Sequence, residues 1–157
     1  MFKLLVKKQK GEGDLVASLF AILALTMVVY FFIGAIGDVT TRTEMDQVAR
    51  KYILRMESTG ELTADDKKAL YTDLYNIRAI KDAVDNMGGK IEISWGSSAG
   101  TGVKGGYGST ITLNIKCTAS VLRYTNIDTN GNNAGFMGLF GKTTLDYNVS
   151  KQSTAKY

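Results

Sequence analysis

The sequence predicts an α+β protein: one long N-terminal helix, membrane-spanning and then amphipathic, a second helix, and a small antiparallel β-sheet head. Three observations lead there. Leu15 to Gly37 is an uncharged run of 23 residues, LVASLFAILALTMVVYFFIGAIG, bounded by Asp14 and Asp38. Helical periodicity continues beyond it, through Met45, Val48, Ala49, Tyr52, Ile53 and Met56. After Lys90 apolar residues alternate with polar ones, the period of a half-buried strand. The chain therefore divides into a basic leader (1–14), an apolar helix (15–37), and a head (38–157) that includes the amphipathic half of helix one.

As a helix the apolar run is about 34 Å long, enough to cross the hydrocarbon core of a bilayer. We expect helix one to start near Asp14 and to end near Ser58-Thr59, with Gly60 as a left-handed cap. Gly34 and Gly37 are positions where it can loosen, and no proline occurs anywhere in the chain. Tyr30, Phe31 and Phe32 lie toward the outer end, where aromatic rings anchor at a membrane interface. A cleaved signal peptide is the competing reading, because Ala35-Ile36-Gly37 resembles a cleavage site. The apolar run exceeds an ordinary signal core, which favours a retained helix.

A second helix is expected to start after Thr63, with Thr63 as N-cap and Asp66 three residues later, a variant of the capping box. Leu70, Leu74, Ile77, Val84 and Met87 give it an apolar stripe that Ala69, Ile80 and Ala83 can widen, and Asn86-Met87-Gly88-Gly89 ends it. Ile91, Ile93 and Trp95 then mark one strand, Ile111 to Val121 a long second one, and Leu145, Tyr147 and Val149 a third. The connections are too short for helical crossovers, so the strands are expected to be antiparallel. Twelve of the seventeen glycines follow Met87, as suits a loop-rich β head.

The net charge is +4 and the pI about 9.1. Lys3, Lys7, Lys8 and Lys10 supply the excess and act as a cytoplasmic retention signal, N-terminus in and C-terminus out. The remainder is nearly balanced and makes no electrostatic case for nucleic acid. With no histidine and one cysteine, Cys117, the commonest general base and any internal disulfide are absent. Cys117 falls on the apolar face of the long strand and is read as a small core residue. Trp95 is read as a core anchor. No catalytic group, cofactor or metal set stands out, and the chain is expected not to be an enzyme.

Several motifs have a structural explanation. Gly100-Thr101-Gly102-Val103-Lys104-Gly105 fits G-x-G-x-x-G, but a β run follows it rather than a helix, so it is read as a loop. Asn126, Asp128, Asn130 and Gly131 resemble the front of a calcium loop whose closing position is Met137 rather than glutamate; a turn on Asn130-Gly131 is expected instead. Asn148-Val149-Ser150 is a glycosylation sequon. Within the apolar run Ala17, Ala21 and Ala24 recur at helical spacing, a small-residue stripe that lets helices approach closely. Leu15, Ala17, Phe20, Ala21, Ala24, Val28, Phe31 and Phe32 are the candidate assembly interface. Met45, Val48, Tyr52, Ile53 and Met56 are the candidates for docking the head on the helix.

The basic leader MFKLLVKKQKG, the long helix, its continuation TRTEMDQVARKYILRMESTG, the tryptophan strand KIEISWG and the closing segment FMGLFGKTTLDYNVSKQSTAKY together resemble type IV pilin-like proteins. More narrowly they resemble TadE-like pseudopilins and related Gram-positive membrane proteins. The resemblance implies a subunit that waits in membrane lipid, is handled by an assembly machinery, and joins copies of itself in an extracellular filament. It also implies leader processing, for which Gly11, Glu12, Gly13 and Asp14 are candidates. Here the sequence departs from the family pattern: five residues after Gly11 stands Val16, and five after Gly13 Ser18, where such pilins carry glutamate. The alternative within the same resemblance is a membrane-anchored accessory of a pilus, secretion or conjugation machine.

Overall fold

The computed structural model describes residues 2–124 and 140–156, with side chains for residues 13–122 and 142–156. The fold is α+β. Among the described residues the elements are α1 (Phe2–Thr59), α2 (Ala64–Tyr75), α3 (Arg78–Asn86), β1 (Ile91–Ser97), β2 (Gly100–Thr101), β3 (Thr110–Tyr124) and β4 (Phe140–Thr154). The chain separates into two compact units, Met1–Ile36 and Gly37–Tyr157.

Helix α1 begins at Phe2, well before the Asp14 start that the apolar run suggested. Nothing in the leader forces a break. Gly11 and Gly13 each cost about 1 kcal/mol relative to alanine but leave the hydrogen-bond ladder intact. Gly34 and Gly37 also stay within the helix. The other end is where it was expected. Gly60 takes φ 71°, and its N–H donates to the Met56 carbonyl at 2.7 Å, the hydrogen bond of a left-handed cap.

The single helix expected after Thr63 is two helices. The N-terminus follows the capping logic: the Asp66 N–H donates to Thr63 Oγ1 at 3.1 Å, and the Thr63 hydroxyl donates to Asp66 Oδ2 at 2.8 Å. The break falls at Asn76-Ile77, where Ile77 is extended (φ −65°, ψ 119°). Its cause is packing. In one continuous helix Ala83 would lie about 140° around the axis from Leu70, off the apolar stripe. Re-aiming the chain at Ile77 lets Leu70, Leu74, Ile77, Ile80 and Ala83 all enter the core. As a result α2 lies against β1 and α3 against β3.

The sheet is antiparallel throughout, in the order β2-β1-β3-β4. It has one strand more than the alternation indicated. Strand β2, only two residues long, pairs with the end of β1 at Gly96 and Ser97. Strand β3 is the central strand of the head: Ile111, Leu113, Ile115, Cys117 and Ala119 are wholly buried on one face, while Asn114 and Lys116 are exposed on the other. Ile115 sits between Ile93 of β1 and Val149 of β4. Trp95 pairs with Leu113 and is partly buried against the core. The turn expected over Asn126 to Asn133, and the calcium-loop resemblance that ends at Met137, lie outside the described residues.

Candidate assembly and anchoring surfaces

An uncharged helix that is apolar on all sides has no face to present to water. In α1 none of the large apolar side chains from Leu15 to Ile36 is buried: Leu23 and Met27 are half-buried and the others are exposed, from Tyr30 at 40% to Phe31 at 74%. An 18-residue window of this helix reaches a mean hydropathy of 2.6, and none of it is buried. The helix is thus long and apolar enough to cross a membrane. Its hydroxyls suit that setting: Ser18 donates to the Leu15 carbonyl at 2.9 Å and Thr26 to the Ile22 carbonyl at 2.8 Å.

Of the eight residues predicted for assembly, seven share a face. At the helical advance per residue, Ala17, Phe20, Ala21, Ala24, Val28, Phe31 and Phe32 fall within an arc of about 120°, whereas Leu15 points to the opposite side. Ala17, Ala21 and Ala24 form a shallow channel along that arc. Phe31 and Phe32 stand at its end, edge to face with ring centroids 6.4 Å apart. Among the leader-processing candidates, Gly13 and Asp14 are exposed on the helix; the surroundings of Gly11 and the side chain of Glu12 lie outside the description.

The docking residues occupy the second unit. Met45, Tyr52, Ile53 and Met56 are buried in the core with Ala49, and Val48 packs at its margin. Beside this apolar stripe runs a line of polar contacts that the sequence reading missed. Asp38 accepts a hydrogen bond from the Tyr147 hydroxyl, and Arg42 stacks over the Tyr147 ring at 5.9 Å. Asp46 pairs with Lys151. Glu57 accepts from Ser153 and, at 2.8 Å, from Lys156. The two partners run in register: the 19 helical steps from Asp38 to Glu57 rise about 28 Å, and the nine extended steps from Tyr147 to Lys156, seven of them within β4, span about 30 Å. One signal pointed to this seam. On β4 the inward alternation Leu145, Tyr147, Val149 continues into Lys151 and Ser153, polar groups that need partners on an otherwise apolar face.

Two further clusters hold α2 and α3. Asp73 accepts from Lys51 at 2.8 Å and from the Tyr52 hydroxyl at 3.0 Å. The lysine holds the Asp73 carboxyl below its ordinary range, while burial and then the Asp73 bond push the Tyr52 phenol up to about 12. Asp82 of α3 accepts from Lys142 of β4 at 2.9 Å. Lys142 first, then Ser120 and Asn86, lower it to about 2.

Chemistry for catalysis is sparse. Burial pushes the Cys117 thiol up to about 12, which makes it a poor nucleophile. Among the described residues no group of three His, Cys, Asp or Glu side chains is placed to hold a metal ion. The Gly100–Gly105 segment forms β2 and a turn and leads into β3, so no helix N-terminus is there to receive a phosphate. No family model matches the chain, and no curated protein and no solved structure matches it either.

Proposed function

We propose that this chain is a structural subunit of a type IV pilus-like (Tad-like) surface filament, assembled through the apolar half of α1. Before assembly it sits in the cytoplasmic membrane, N-terminus in and C-terminus out, surrounded by lipid. During assembly it exchanges those lipid contacts for copies of itself. The mechanism is non-covalent polymerisation and uses no cofactor. The observation that carries the reading is the helix Leu15–Ile36, apolar on every face with no buried side chain, in a chain whose amphipathic half of the same helix is buried in the head. Lipid removes any hydrophobic drive between helices, so close packing at small residues is what favours association there. The channel of Ala17, Ala21 and Ala24 supplies such a surface.

The test is the double substitution Ala17→Leu and Ala21→Leu, which fills that channel without touching the head. Cells expressing it should yield no filaments when sheared and viewed by negative stain, while the protein stays in the membrane with a normally folded head. Filaments of ordinary number and length from this variant would refute close packing at the stripe. Wild-type protein that is scarce, detergent-extractable and never found in sheared filaments would instead favour the accessory role.

A further inference from the structure

The edge of the sheet beside α2 is open along most of β1. Strand β2 meets β1 only at Gly96 and Ser97, and among the described residues Ile91 to Trp95 have no strand pairing on that side. In an antiparallel strand, successive residues turn their main-chain groups to opposite edges. The Lys90 carbonyl accepts from the Thr118 N–H at 2.9 Å, and the Ser98 N–H donates to the Thr110 carbonyl at 2.8 Å, so even-numbered residues bond toward β3. The Trp95 carbonyl accepts from the Gly102 N–H at 2.8 Å on the other side. Ile91 and Ile93 therefore point their N–H and C=O groups to the open edge.

A groove of about 520 Å³ runs along this edge, between β1 and α2, lined by Ile91, Ile93, Lys67, Lys68, Tyr71 and Thr72. Tyr71 is 44% exposed within it. Lys67 and Lys68 form no ion pair among the described residues, and no carboxylate lines the groove. An unpaired strand edge beside a helix is the geometry in which proteins bind an extended peptide as an added strand. The uncompensated lysines set the charge of the occupant.

We propose that this groove binds an extended acidic segment of a partner protein, which pairs with the main chain of Ile91 and Ile93 while its carboxylates meet Lys67 and Lys68. The site is independent of the helix that joins copies of the chain, so the two readings stand or fall separately.

The experiment uses the full-length chain in non-ionic detergent micelles and three capped peptides. These are acetyl-TEVEVDVT-amide, the same sequence with lysine at each acidic position, and the acidic peptide N-methylated at alternate residues. The acidic peptide should bind saturably and slow amide exchange at Ile91 and Ile93 at least tenfold, whereas the other two should not. Charge reversal by Lys67→Glu with Lys68→Glu should weaken the acidic peptide about tenfold, as expected for two exposed ion pairs. The peptide comparison on the wild-type chain decides the matter even if that variant misfolds. Absence of binding at about 1 mM peptide overturns the proposal, as does equal binding of the lysine peptide or the N-methylated one; the lysines would then serve only to guard the edge. Exchange protection confined to other strands overturns it as well.

Discussion

Met56 and Leu54 are two residues apart on α1 and have opposite surroundings: Met56 is 1% exposed and Leu54 55%. Replacing each by alanine separates core packing from mere helix composition. Truncating a buried methionine costs about 2–5 kcal/mol, through lost transfer energy and the cavity left behind. Met56 sits in the same core cluster as the side chains of β3 and β4, two long paired strands that cannot easily collapse onto a void, so about 3 kcal/mol is the working figure. Leu54→Ala should stay within about 0.5 kcal/mol. A urea slope of about 2 kcal/mol per molar turns the first loss into a midpoint lower by about 1.5 M. The assay is urea unfolding of the full-length protein in detergent, followed by the fluorescence of Trp95, the only tryptophan, which packs against this core. Equal midpoints for the two variants, or a fall of less than about 0.3 M for Met56→Ala, would refute the account of how the head seats on the helix.

Two other expectations follow from local geometry. Gly60→Ala places a Cβ on a backbone at φ 71° and should cost about 1–2 kcal/mol, with Gly60→Asn recovering part of it; an unchanged urea midpoint for the alanine variant would remove the left-handed cap from the argument. Cys117 and Tyr52 both keep their protons in the folded state up to about pH 12, above the ordinary 9.0 and 10.0, so the folded state holds protons that the unfolded state has released. Stability is therefore complete below about pH 9 and falls as pH rises toward 12, by up to about 1.4 kcal/mol per pH unit for Cys117 from pH 9 and by less for Tyr52 from pH 10. Cys117→Val should flatten that decline by one group's share in urea midpoints taken from pH 8 to 11. Parallel decline in variant and wild type would show that burial of the thiol contributes nothing.

What could be read from the sequence was what depends on neighbours along the chain. The uncharged stretch from Leu15, the stripe from Met45 to Met56, the Thr63 cap and the alternation through Ile111 to Val121 each carry a local period or a local hydrogen bond. The break at Ile77 carries neither: no proline or glycine marks it, and its cause is the need to turn Ile80 and Ala83 toward a sheet not yet encountered in the sequence. Strand β2 is too short to show a period. The polar seam joins Asp38, Asp46 and Glu57 to residues about a hundred positions later, and only the inward polar residues Lys151 and Ser153 hinted at it. The open edge of β1 was likewise invisible, because it depends on how little of β1 the short β2 covers.

That seam has a consequence for how the molecule comes into being. The stripe from Met45 to Met56 is made well before β4, which carries Tyr147 and Val149 into the same core. At about 5–20 residues per second, the hundred or so residues between them take roughly 5–20 s to synthesise. During that interval α2, α3, β1 and β3 can cover part of the stripe, but the cover that Tyr147 and Val149 give is missing until β4 is made. Asp38, Asp46 and Glu57 likewise wait until then for Tyr147, Lys151, Ser153 and Lys156, their partners in the seam.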